Sequence, residues 1–301
     1  MDRLAAMSTL LAVVEAGSFS AAARRLGTPL ATVSRRVSEL EAHLKTRLLN
    51  RSSRQLGLTE AGRSYIIACR RIVEEVAEAE RAAAGEYSAP TGELVITAPV
   101  VFGRLHVLPI ATEFLGAYPD IVIRLLLLDR IVNLLEDHVD LAIRIGHLPD
   151  SSLIAARVGA IRQVVCAGPH YLAERGTPQR PEDLASHDCI TFEGLVRPES
   201  WTFSTGRSEL SVAVRSRLVV NTAEAAIDAA ISGAGVTRVL SYQIATARKA
   251  GRLHILLQPF EPAPWPVSLA YTGGGLLPLK VRAFLDFAAP RLRARLADLD
   301  D

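Results

Sequence analysis

The stretch Gly17-Ser-Phe-Ser-Ala-Ala-Ala-Arg-Arg-Leu-Gly-Thr-Pro-Leu-Ala-Thr-Val-Ser-Arg-Arg-Val-Ser-Glu-Leu-Glu41 decides how the first part of this chain folds. Ser18 or Ser20 can cap a short helix over residues 21–26, whose alanines leave room for a close neighbour, and Gly27 breaks it after two turns. Pro29 suits the first turn of the next helix, where its missing N–H costs nothing, and Thr28 is placed to cap that helix. Within it Val33, Val37, Leu40 and Leu44 share one face, while Thr32, Ser34, Arg35, Arg36 and Ser38 fall around the others. Upstream, Leu4, Met7, Leu10, Leu11 and Val14 recur at helical spacing, so residues 2–16 read as an amphipathic helix capped by Asp2 and stopped by Gly17. Two short helices, a glycine-containing turn and a third helix with a basic, hydroxyl-bearing face follow the helix-turn-helix plan, whose second paired helix enters the DNA major groove.

Charge supports this reading by its position and not by its total. The 301 residues carry a formal net charge of only +2. From Ser18 to Arg54, however, Arg24, Arg25, Arg35, Arg36, Lys45, Arg47, Arg51 and Arg54 face only Glu39 and Glu41, so the remainder of the chain is net acidic. A composition of 49% hydrophobic and 22% charged residues excludes a disordered polypeptide, and the length calls for two or three domains. No uncharged apolar run reaches 18 residues and residues 1–15 lack the pattern of a secretory leader, so a soluble cytoplasmic protein, away from membranes, is expected. Cys69, Cys166 and Cys189 form no CxxC pair, which argues for buried or idle thiols in a reducing compartment.

Beyond the basic segment, Thr59 can cap a long helix. Ala61, Tyr65, Ala68, Ile72, Ala79 and Ala83 make a seam suited to a second subunit, and Ile66, Cys69 and Val73 make another stripe suited to the chain's own first domain. Residues 85–92, with Ser88 and Pro90, interrupt the periodicity and read as a hinge. Apolar runs over residues 94–97, 121–128 and 141–145 then alternate with helical patterns over 104–118 and 131–137, a rhythm that predicts a parallel sheet covered on both faces.

Ligands of such sheets collect at the carboxyl ends of strands. The candidates are Thr97, Pro99, Val100 and Phe102 after the first strand, Arg144 and Gly146 after the third, Asn221 and Thr222 before a helix over 223–231, and Gly235 and Thr237 after it; each is also an ordinary turn or core position. Arg144 can meet an anionic effector bidentately or form an internal salt bridge.

Five elements, in order and in register, resemble the LysR-type transcription regulator signature: residues 17–27, Thr32-Val-Ser-Arg-Arg-Val37, Leu40-Glu41, Arg47-Leu-Leu-Asn-Arg51 and Leu58-Thr-Glu-Ala-Gly62. The resemblance continues through Pro109, Phe114, Tyr118-Pro119, the stretch Asp140-Leu-Ala-Ile-Arg-Ile-Gly146, Tyr171-Leu172, Gly176-x-Pro178, His187 and Val281-Arg-Ala-Phe-Leu-Asp286. It implies an α/β multi-domain chain: a winged helix-turn-helix over 1–58, a linker and dimerisation helix with hinge over 59–90, and a periplasmic-binding-protein-like effector module over 91–301. In that module one subdomain takes 91–161 with 266–301 and the other 162–265, and Pro259, Pro262, Pro264 and Pro266 suit the returning crossing.

The same resemblance puts Ser18, Thr28, Pro29, Ala31, Thr32, Ser34, Arg35 and Arg36 at or near DNA and makes Arg51 and Arg54 a basic wing. Its partners are then double-stranded promoter DNA, a small anionic or aromatic effector, further copies of the chain as dimer or tetramer, and RNA polymerase. Leu30 stands where many relatives carry glutamine. Lys45 stands where a glycine usually closes the recognition helix, which predicts a less sharply defined helix end.

Enzyme readings find no carrier. HExxH, GxSxG and P-loop patterns are missing, and Gly233-x-Gly235 lacks the third glycine of a dinucleotide fingerprint. His106, His138 and His147 read as core or surface residues, so no metal and no cofactor are expected. The rivals to a regulator are a solute-binding receptor dimerised by its N-terminal helices, which would require export, and a two-lobed enzyme.

Overall fold

The computed structural model describes residues 1–51, 56–83, 89–130, 132–134, 136–148, 153–192, 200–206, 208–273 and 277–297. The chain divides into two compact units, Met1–Gly92 and Glu93–Asp301.

In the first unit, α1 (Arg3–Glu15) is capped by the Asp2 carboxylate, which accepts from Ala5 N at 3.1 Å, and ends where Gly17 takes a φ of +69°. Ser18 is the cap of α2 (Phe19–Arg25), accepting from Ala21 N at 3.1 Å. α3 (Leu30–Leu44) begins without a side-chain cap: the Thr28 hydroxyl donates backwards to Leu26 O at 3.1 Å, and Pro29 lies just outside the first turn. The interior face of α1 also departs from the 3–4 pattern, since Leu4 is exposed while Ala6, Thr9, Ala12 and Val13 are buried. Its neighbours α2, α3 and a fourth helix surround it, so burial spreads around the cylinder instead of following one stripe.

Val33, Val37 and Leu40 of α3 are wholly buried, each contributing roughly 1.5–3 kcal/mol by leaving water. The end of α3 is sharp despite the missing glycine. Lys45 itself takes the left-handed conformation, φ +53° and ψ +30°, and the N–H groups of Lys45 and Thr46 close back on Ala42 O and Glu41 O.

A two-stranded wing follows: β1 (Leu49–Arg51) and β2 (Leu56–Leu58) pair antiparallel, with Leu49 opposite Leu58 and Arg51 opposite Leu56. Thr59 caps α4 (Glu60–Ala83), accepting from Gly62 N at 2.9 Å. Gly62 is required by contact, because a Cβ there would stand 2.0 Å from Leu48 O. On α4, Ile66, Cys69 and Val73 pack into the core of the unit as the second stripe anticipated, and Tyr65 from the other stripe joins them. Ile67 and Ile72 stay exposed. Residues 85–88 of the expected hinge lie outside the described residues.

The second unit holds two five-stranded sheets. Lobe one is ordered β4 (Ile121–Leu127), β3 (Gly92–Ala98), β5 (Leu141–Ile145), β14 (Trp265–Thr272), β6 (Leu153–Ile161). It packs against α5 (Val100–Phe102), a π-helical turn over Gly103–Val107, α6 (Leu108–Ala117) and the C-terminal α10 (Leu279–Ala297). Lobe two is ordered β11 (Ser216–Val220), β8 (Cys189–Phe192), β12 (Val236–Leu240), β7 (Gln163–Ala167), β13 (His254–Leu256). One of its faces carries α8 (Ala223–Ile231) and α9 (Ser241–Lys249). The other carries α7 (Pro169–Arg175) and the hairpin of β9 (Ser200–Ser204) and β10 (Glu209–Ala213). The chain crosses between lobes at Arg162 and again before Trp265.

Two expectations need correction. The sheets are mixed, not parallel: β3–β5, β8–β11 and β8–β12 run parallel, but β14 runs antiparallel to β5 and β6, and β12 and β13 run antiparallel to β7. The chain's two crossings reverse strand direction without an intervening helix, so β7 and β14 enter their sheets against the prevailing sense. The pattern over 131–137 forms no helix among the described residues. Asn133 N is held by the Asp137 carboxylate at 3.1 Å and Asp137 N by Asn133 O at 2.8 Å, a single turn that satisfies the backbone locally.

Candidate DNA-binding and effector-binding sites

The first unit presents α3 with its apolar side inward and its polar side to solvent. Ala31 and Arg35 are exposed, and Thr32, Ser34 and Arg36 are half-buried at the flanks of that face. The Arg35 side chain is 70% exposed and lies 3.8 Å from Glu39, a loose i,i+4 contact that leaves the guanidinium accessible. Pro29 is exposed and Thr28 half-buried at the helix start, with Ser18 exposed at the head of α2. Arg51 closes β1 of the wing; Arg54 lies outside the described residues.

The third helix and the wing are tied together by a residue whose role sequence reasoning left open. Glu41 Oε1 accepts from Leu48 N at 2.9 Å and Leu49 N at 3.1 Å, so the last turn of α3 fixes the start of β1. The stretch Leu40-Glu41 thus couples a core leucine to a wing anchor.

In the second unit the predicted effector residues separate into two groups. Thr97 and Arg144 lie near the carboxyl ends of adjacent parallel strands of lobe one, where Thr97 pairs with Ala142, and Gly146 follows with a φ of +109°. Thr97 is wholly buried and its hydroxyl has no hydrogen-bond partner among the described residues. Beside it Pro99 and Val100 open α5, with Val100 N donating to Asp129 Oδ1 at 3.0 Å. Arg144 Nη2 donates to Val132 O at 3.2 Å, and burial draws its pKa down. Asn221 and Thr222 are exposed at the carboxyl end of β11 in lobe two, the Thr222 hydroxyl capping α8.

The remaining three are occupied by packing. Phe102 is fully buried, its ring 5.5 Å from Tyr242 of α9 and 4.8 Å from His106. Thr237 donates to Ile190 O at 3.0 Å inside lobe two. Gly235 sits at the amino end of β12, away from the end that leads to lobe one, and a Cβ there would meet Asp188 O at 2.3 Å.

The lobes touch through named contacts. Leu240 and Tyr242 enter the core of lobe one, Ser241 N donates to Arg162 O at 2.9 Å, and Arg104 reaches Glu224 at 4.0 Å. His106 Nε2 is buried without a partner among the described residues, and burial, aided by Arg295, pushes its pKa down to about 4, so the ring is neutral at physiological pH. His138 occupies a turn with φ +53°, and His147 is exposed. Sequence reading also passed over Arg238, buried on β12 with Nη1 on Thr202 O at 3.2 Å and its Cζ 5.5 Å from the Trp201 ring centre. Burial lowers its pKa to about 10, which leaves it charged. The signal was a lone arginine in the otherwise uncharged strand Val236-Thr-Arg-Val-Leu240.

Residues 4–63 match the family model of the bacterial regulatory helix-turn-helix protein, lysR family, and residues 88–293 match that of the LysR substrate binding domain. The chain belongs to the LysR family. This LysR-type protein is a DNA-binding transcription regulator with an effector-binding domain, and its family is one of regulators, not of enzymes. It is 37% identical to an HTH-type transcriptional repressor of Pseudomonas aeruginosa over 289 residues, 95% of this chain and 91% of that one. It is 35% identical to the HTH-type transcriptional activator AaeR of Escherichia coli over 288 residues, 95% and 93% of the two chains. The solved structure of CrgA, a LysR-type regulator from Neisseria meningitidis, is similar with a TM-score of 0.61 at 32% identity, covering 95% of this chain and 98% of that one.

Proposed function

We propose that this regulator binds double-stranded promoter DNA through α3 and the wing, as a homo-oligomer in the cytoplasm, and that a small effector held between the lobes changes the spacing of its recognition helices. The observation that carries the reading is the orientation of α3: Val33, Val37 and Leu40 are spent on the core while Ala31 and Arg35 face outward. Side chains early in such a helix, with Thr28, Pro29, Thr32 and Ser34 beside them, reach base edges, while Ser18, Arg36, Arg51 and Arg54 are suited to phosphates.

Oligomerisation is supported in each unit separately. Ile67 and Ile72 on α4 keep apolar surface outward. In the effector module two of the edge strands, β4 and β11, expose Val122, Leu218 and Val219, apolar positions that a second copy would cover. An effector is supported by the buried Thr97 hydroxyl at the carboxyl end of β3, which has no hydrogen-bond partner among the described residues. Such a ligand moves the assembly only by binding one geometry better than the other. RNA polymerase is the partner through which a change at the promoter reaches transcription.

The test is affinity for promoter DNA against salt. A steep linear fall of log K with log salt is expected, and Arg35→Ala should weaken binding and, where Arg35 meets a phosphate, lower the slope by about 1. Protein that ignores DNA at low salt would overturn the proposal.

A further inference from the structure

Three arginines of lobe two and its crossings are paired with carboxylates. Arg162 pairs with Glu261 at 2.9 Å, and Arg175 and Arg217 share Asp188 at 2.9 and 2.8 Å. Arg238 breaks this pattern. It is only 6% exposed and, among the described residues, no carboxylate pairs with it. Of its five N–H groups one donates to Thr202 O, and Nε is buried with no acceptor among the described residues. A guanidinium cannot shed its charge to relieve burial as a lysine or histidine would.

Its surroundings are polar in a way the apolar core does not require. Strand register places Val236, Arg238 and Leu240 of β12 opposite Ala167, Val165 and Gln163 of β7, on the face under the β9–β10 hairpin. Gln163, 5% exposed, is the diagonal neighbour of Arg238, and Thr191, 4% exposed, lies on the same face of β8. The Trp201 ring supplies a flat apolar wall. The group sits two residues before the carboxyl end of β12, the end from which Ser241 and Tyr242 pass to lobe one.

We propose that Arg238, with Gln163 beside it and Trp201 over it, is the carboxylate-binding point of lobe two, and that the ligand it takes is a small organic carboxylate with a flat apolar body. A carboxylate matches the planar fork of the guanidinium, satisfies the orphaned Nε–H and neutralises the buried charge in one step. The inference rests on the reading that lobe two helps to hold the effector, and it assigns the anionic group to Arg238 instead of Arg144.

The experiment uses the full chain carrying Trp265→Phe, which leaves Trp201 as the sole tryptophan and its fluorescence as a local reporter. Titration with benzoate should change Trp201 emission saturably, whereas benzamide, neutral and of the same shape, should not. Arg238→Met and Arg238→Lys should each weaken benzoate at least tenfold, the lysine variant because it keeps the charge but loses the fork; Arg144→Gln should leave the response intact. Should Arg238→Met fail to fold by circular dichroism, the lysine variant and the benzamide comparison decide alone. No saturable response to benzoate, an equal response to benzamide, full affinity in Arg238→Lys, or loss in Arg144→Gln alone would each overturn the proposal. Promoter binding at low salt, measured on the same proteins, separates the two failures: intact DNA binding without a benzoate response sinks only this inference.

Discussion

Glu41→Ala is the sharpest probe of how the DNA-binding unit is held together. The substitution removes the acceptor of two backbone N–H groups, those of Leu48 and Leu49, on residues that are each 1% exposed. Each buried unsatisfied N–H costs ~1–3 kcal/mol. Allowing for partial entry of water beside exposed Arg47 and Asn50, the sum is about 2–4 kcal/mol. For a unit of this size each kcal/mol moves the midpoint by about 4–8 °C, so its unfolding transition should fall by roughly 8–32 °C. Glu41→Gln retains an acceptor oxygen and loses only the charge assistance, about 1 kcal/mol. Calorimetry on the full chain, with hydrogen exchange at the Leu48 and Leu49 amides, reads both effects. Promoter affinity should fall in parallel, because the wing loses its fixed offset from α3. A drop of less than ~3 °C in Glu41→Ala, against the scale above, would refute the claim that this carboxylate anchors the wing.

Lys45→Gly should raise the stability of the same unit by about 0.5–1 kcal/mol, since a glycine takes the left-handed conformation at φ +53° without steric cost; a thermal melt showing no gain would count against the cap geometry. The Asp188 carboxyl is held below the ordinary carboxylate range, first by its hydrogen bond to Arg217 and then by Arg175. A value depressed by folding stabilises above the unfolded pKa and is lost as pH falls through the folded one, so acid unfolding of the effector module below about pH 4 should flatten in Asp188→Asn. Cys69, Cys166 and Cys189 are buried, and burial raises their pKa values to about 11, 12 and 12. None should react with a thiol reagent at pH 7.5 in native protein and all three should in denaturant; a fast native reaction would contradict their placement.

Much of the DNA-binding unit was legible in one dimension because its signals are local. Asp2, Ser18 and Thr59 cap the helices that follow them through bonds three residues long, and Gly17 stops a helix by its own backbone freedom. Thr28 was misread for the opposite reason: several local acceptors compete for a threonine hydroxyl, and Leu26 O won. The strands at 92–98, 121–127 and 141–145 were visible as apolar runs, but their mixed direction was not, since direction depends on where distant segments such as β14 return.

The amino-acid order alone determined the helix-turn-helix, the core-facing stripe of α4 and the family, because each rests on residue types at short, fixed spacings. Only the tertiary structure decided which polar groups are left without partners. Thr97, His106 and Arg238 look ordinary in the chain and become exceptional because the groups that would have satisfied them are placed elsewhere by the packing of two sheets. Burial and hydrogen-bond satisfaction belong to the whole fold, and no window of neighbouring residues contains them.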